Sequence, residues 1–165
     1  MRQRIVVGVS GSPGSLAALH QATAEARERN ADLYAVLAWQ LPGGGLGGRA
    51  TYGTAALREY REAAVEELRT LLDGAFAVRR PGVALSGLAV RGEPGPVLVE
   101  AAGSADGLLV VGAGSRGRWL PTLRPSVARY CLAHAACPVL AVPPNPLEAE
   151  LAAVLGDNWS LPPGR

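Results

Sequence analysis

The chain is 165 residues long with a formal net charge of +2, and 48% of it is apolar but only 5% aromatic. That is the size of one domain whose core must be packed from alanine, leucine and valine. Its 16 basic residues are all arginine, which excludes a Walker-type loop because that motif needs a lysine on the phosphates. The small charge and scattered arginines argue against nucleic acid. No apolar run approaches the ~20 residues of a membrane span. Met1-Arg2-Gln3-Arg4 leads straight into a strand pattern without a visible secretory signal, so a cytoplasmic location is expected. Cys131 and Cys137 lack CxxC spacing and read as small apolar residues kept reduced.

Apolar, β-branched runs alternate with helical ones, the rhythm of a parallel sheet covered by helices. The first strand is predicted over 5–9. It ends at Ser10-Gly11-Ser12, where Ser12 suits an N-cap and Pro13 the first helical position. A helix follows to about residue 30, with Leu16, Leu19, Thr23 and Ala26 on one face. The second strand is 33–39. Residues 41–54 are glycine-rich and read as a loop. A long helix is expected over 55–76, with Leu57, Tyr60, Ala64, Leu68, Leu71 and Ala75 as its core-facing stripe. Strand three is 83–90, a short helix 97–102 and strand four 107–111. A helix over 127–135 and a last strand over 138–142 complete the series. In the tail, Leu147, Leu151, Val154 and Leu155 share one face of a short amphipathic segment that ends near Trp159.

The segment Val110-Val111-Gly112-Ala113-Gly114-Ser115-Arg116-Gly117-Arg118, closed by Pro125-Ser126-Val127, joins a buried strand to a helix N-terminus through glycines. Free backbone N–H groups and the helix dipole make such a junction an anion site suited to phosphates. In open parallel sheets ligands sit beyond the strand carboxyl ends, where strand order reverses. The loops 10–12 and 112–125 are the pair expected to line that crevice. Arg116, Arg118 and Arg124 could pair with phosphate or simply face solvent. Trp119 could stack on a base or pack its own loop. His20 and His134 have no partners at ligand spacing, so no metal site is expected. No Gly-x-Ser-x-Gly elbow is present, so no nucleophilic catalysis is expected either.

In sequence order these fragments resemble the universal stress protein family over residues 4–143. The likeness is carried by Ile5-Val6-Val7-Gly8-Val9-Ser10-Gly11-Ser12-Pro13, by Val90-Arg91-Gly92-Glu93-Pro94 with Leu98, Ala101 and Ala105-Asp106, and by Cys137-Pro138-Val139-Leu140-Ala141-Val142-Pro143. It implies an α/β fold: an open five-stranded parallel sheet with helices on both faces, Rossmann-like, over residues 1–144, followed by a tail over 145–165. It further implies a regulatory or sensing module of the stress response rather than an enzyme. The resemblance implies a homodimer through strand 137–143, which in the family's strand order is an apolar edge that asks for a partner, and an unidentified protein partner is left open.

By the same resemblance, ATP or another adenine nucleotide would lie across Gly8, Val9 and Ser10 and across Gly112, Gly114 and Ser115. Its phosphates would sit near Ser126 and Val127, and Leu37 would flank the base. Nucleotide-binding members carry a glycine, two residues, a glycine, nine residues, then glycine and serine or threonine. An ungapped match starts at Gly112 and puts Ser115 and Pro125 on the second and third glycines; a shifted one starts at Gly114, keeps Gly117 and shortens the loop. The ungapped match preserves loop length. Pro125 donates no N–H, and Ser10 stands where nucleotide binders have an aspartate, a stronger acceptor. Weak or lost binding is therefore expected; the alternative is a competent pocket with at most very slow hydrolysis.

Overall fold

In the computed structural model, residues 3–42, 53–103, 106–114 and 126–146 are described. Their elements are β1 (Arg4–Gly8), α1 (Pro13–Arg29), β2 (Asp32–Trp39), α2 (Thr54–Ala75), β3 (Leu85–Arg91), α3 (Pro94–Ala102), β4 (Leu108–Gly112), α4 (Val127–His134) and β5 (Val139–Val142). The five strands pair in parallel in the order β3-β2-β1-β4-β5. This meets the expectation of an open parallel α/β sheet. The glycine run 43–48, Ser115, Arg116, Arg118, Trp119, Arg124, Pro125 and the tail from Leu147 to Trp159 lie outside the described residues. Among the described residues no helix is long and apolar enough to cross a membrane.

β1 is the middle strand. Ile5, Val6 and Val7 are all buried, the continuous apolar run that a strand covered on both faces requires. Ile5 pairs with Leu33 on one side and Leu108 on the other; Val7 pairs with Ala35 and Val110. The pleat divides the core by parity. Ile5, Val7, Leu33, Ala35, Leu37 and Val110 pack under α1 and α2, whereas Val6, Val36, Leu109 and Val111 pack under α3 and α4.

The helix starts follow local chemistry. The Ser12 hydroxyl accepts from the Ser15 N–H, Pro13 opens α1, and Asn30 closes it with φ 50°, the left-handed cap that asparagine tolerates. The buried face of α1 holds Ser15, Ala18, Leu19, Ala22, Thr23 and Ala26; Leu16 is only half-buried, so the expected stripe is displaced toward the smaller side chains. The α2 stripe is narrower than the sequence period implies. Only Ala64 and Leu68 are buried, and Tyr60 is 37% exposed, because α2 covers edge strand β3 and the neighbouring β2 rather than the sheet centre. α3 begins at Pro94, three residues earlier than expected, since proline is pre-set for a helix's first turn. β3 begins at Leu85 and not at residue 83.

Cys131 and Cys137 are free thiols in the α3–α4 layer. Burial, and secondarily the neighbouring Cys137, push the Cys131 thiol above its ordinary value. The folded chain therefore keeps a proton that the unfolded chain loses above about pH 8.5. This contribution to stability is complete below that pH and is lost as pH rises through the folded value. Urea midpoints should fall between pH 7.5 and pH 10, and fall less in Cys131→Ala; an equal fall in both would contradict this origin.

Candidate functional site

The chain leaves β1 toward β2 and β3, then returns to β1's other side as β4. The two exits diverge and leave a crevice at the carboxyl rim, the switch point of the sheet. There a cavity of about 490 Å³ opens. Gly8, Val9 and Ser10 line it from the end of β1, Gly112 and Gly114 from the end of β4, and Ser126 and Val127 from the start of α4. Ser115 is outside the described residues. Leu37 is not brought to the cavity. It lies in the α1–α2 layer, and its neighbours Val36 and Ala38, one residue away on the opposite face of the pleat, form the wall instead.

Glycines are required here by close approach. A Cβ at Gly112 would lie 2.7 Å from the Gly14 carbonyl carbon and 3.1 Å from the Ser15 nitrogen, so β4 ends directly on the backbone of the first turn of α1. Gly114 continues the chain with φ +80°, a region that favours glycine. A Cβ at Gly8 would meet Leu98 at 2.7 Å; its absence lets Leu98 close the apolar wall formed with Val36, Ala38 and Val111. Gly95 receives the Tyr130 ring, 2.6 Å from where its Cβ would be, and so seats the start of α3 against α4.

The polar wall is made of serines and helix starts. The Ser10 N–H donates to Ser15 Oγ at 3.1 Å, and that hydroxyl donates to the Ser12 carbonyl at 3.0 Å. Ser12 Oγ accepts from the Ser15 N–H at 3.3 Å and shares a proton with Ser10 Oγ at 3.1 Å. At α4, Ser126 Oγ accepts from the Arg129 N–H and its carbonyl accepts from Tyr130. The earlier amides of that first turn, Val127 and Ala128, have no intrahelical acceptor, and both residues line the crevice. α1, α3 and α4 all start at the rim, with Pro13, Pro94 and Val127 in the lining. No described lining residue carries a charged side chain.

The sequence placed Ser12 both as a cap and in the loop 10–12 that lines the crevice, but it did not single out Ser15, Leu98 and Pro94 as lining. Ser15 carried no signal, because its role comes from bonds that only the folded loop makes. Among the described residues no cluster of His, Cys, Asp and Glu could hold a metal. His20 packs edge-on against Phe76, and His134 stacks on Tyr130 at 4.1 Å.

A sequence profile described as the universal stress protein family matches residues 1–143. No curated protein matches in sequence. Among solved structures, the chain is similar to a universal stress protein crystallised in complex with cAMP, with 26% identity and a TM-score of 0.64 over 87% of this chain and 99% of that one. It is similar to the universal stress protein from Archaeoglobus fulgidus in complex with dAMP, with 28% identity and a TM-score of 0.55 over 85% and 97% of the two chains. The UspA protein from Lactobacillus plantarum, 21% identical with a TM-score of 0.58 over 86% and 97%, shares the fold.

Gly112→Ala should be costly for its size. Its methyl meets backbone, not a yielding side chain, and overpacking of that kind costs about 1–3 kcal/mol. Denaturation of the variant should show that loss, whereas Gly74→Ala inside α2, which meets nothing within 4 Å, should cost nothing, alanine being the better helix former.

Proposed function

The chain belongs to the universal stress protein family, and on that premise we propose that it is a cytoplasmic sensing module that binds an adenine nucleotide weakly and does not turn it over. One observation carries the reading: the crevice at the switch point combines an apolar wall fit for a base with helix starts fit for phosphate. Relatives of the same fold are described in complex with cAMP and dAMP, which supports an adenine nucleotide over other ligands. Weak affinity follows from two residues. Ser10 offers a neutral hydroxyl in place of a charged acceptor, and Pro125 has no N–H to offer. Each loss costs about 1–3 kcal/mol, roughly ten- to hundredfold in affinity.

Calorimetry with AMP and ATP, beside mass spectrometry of nucleotide carried through purification, tests the reading. The unaltered protein should bind in the high micromolar range or weaker, and the Ser10→Asp, Ser115→Gly, Pro125→Gly variant should bind at least tenfold more tightly. Tight binding by the unaltered protein would refute the attenuation. No binding by either would leave a module that acts through protein contacts alone.

We propose also that two copies pair through β5. All four of its residues are half-buried in the single chain, and its outer backbone edge is an invitation to another strand. Sedimentation should find a dimer at micromolar concentration and a monomer for Ala141→Arg; a monomeric unaltered protein would refute this.

A further inference from the structure

Among its described lining residues the crevice has donors but no charged acceptor. In the serine cluster, three hydroxyl protons are available. The Ser15 proton goes to the Ser12 carbonyl, and the Ser10–Ser12 pair shares one of the other two. Whichever of that pair donates, the other keeps a proton free, and both residues line the cavity. Val127 and Ala128 line the crevice as well, and their amides, in the first turn of α4, are donors without an intrahelical acceptor. Three helix starts add their positive dipole ends, and no described lining residue supplies a carboxylate or imidazole to offset them. The acid nearest in sequence, Glu93, precedes the lining residue Pro94 and does not itself line the cavity.

A hard divalent cation wants oxygen ligands, usually with at least one protein carboxylate, and it retains waters that must be accommodated. The crevice offers donors and positive dipole ends, which attract a bare phosphate and repel the cation that would accompany it. Resting on the adenine-nucleotide reading above, we infer that this site takes the phosphate end of its ligand as a metal-free anion, so that magnesium competes with the protein for ATP instead of bridging the two. The protein then responds to AMP or uncomplexed ATP, and is insensitive to the magnesium complex that nucleotide-consuming enzymes use.

Calorimetry with the full chain decides it, with AMP and ATP titrated in EDTA and in excess magnesium. Removal of free ATP by complexation should weaken apparent ATP affinity about tenfold or more by mass action. AMP, which holds magnesium poorly, should move less than about twofold in the same comparison. ATP binding that needs or is strengthened by magnesium would overturn the inference and leave the nucleotide reading standing. Absence of binding by both nucleotides in both buffers would overturn the nucleotide reading itself. Val127→Pro gives an independent check. Proline is favoured at a helix's first position, and Ser126 already has the extended backbone (φ −59°, ψ 147°) that a following proline demands. The variant should keep its helicity and lose about tenfold in affinity for AMP and for metal-free ATP, the loss of one backbone donor to a charged group. Unchanged affinity would show that the anion does not rest on this turn.

Discussion

Everything at the candidate site depends on β1 being hydrogen-bonded on both sides. Pairing with β2 and with β4 buries Ile5, Val6 and Val7 on both faces, and it forces the chain to leave β1 in one direction and approach it from the other. The crevice is the gap between those two paths. Its floor is the end of β1, and its walls come from whatever follows β1 and β4: a serine cap on one side and a glycine turn on the other. Neither wall has to be shaped around a ligand for the gap to exist, which is why the cavity persists although Ser10 is neutral.

The fold was legible because its signals are redundant. Five β-branched runs in alternation with helical patterns, a serine–proline helix start and apolar runs without polar alternation all point to one parallel sheet. The site was legible only to the loop. Gly8, Ser10, Gly112, Gly114, Ser126 and Val127 are conspicuous as glycines and caps at strand and helix ends. Leu37 was misjudged for a physical reason: in Leu-Tyr-Ala-Val-Leu-Ala-Trp both faces of the strand are apolar, so nothing in the pattern reveals which parity looks toward α3 and which toward α1. The α2 stripe failed differently. Its period is right, but period reports which side of a helix is apolar and not how much sheet lies beneath it; at the β3 edge there is little. Ser15 was invisible because a serine in a first helical turn is ordinary until a loop N–H arrives to use it.

Among the described residues, the electrostatics of the crevice come from backbone. Dipoles and amides at helix starts are fixed by the fold itself and cannot titrate, so the field they create is constant across the physiological pH range. Side-chain charges would have made the site adjustable, by protonation or by rotamer. Gly95 and Tyr130 reinforce this rigidity: the ring seated on the glycine holds the starts of α3 and α4 together, and the stacked His134 ring braces the tyrosine from the next turn.

The contact between Gly112 and Gly14 joins residues nearly a hundred positions apart. Loop-closure entropy must be overcome before so distant a pair can meet, and in a chain made from the N-terminus onward the two walls of the crevice belong to its earliest and its latest parts. A nascent chain that has completed α1, β2 and β3 still has no pocket. Occupancy of the crevice is thus a report on completed folding, and a ligand that binds there stabilises only the finished molecule and none of the partly folded forms that precede it.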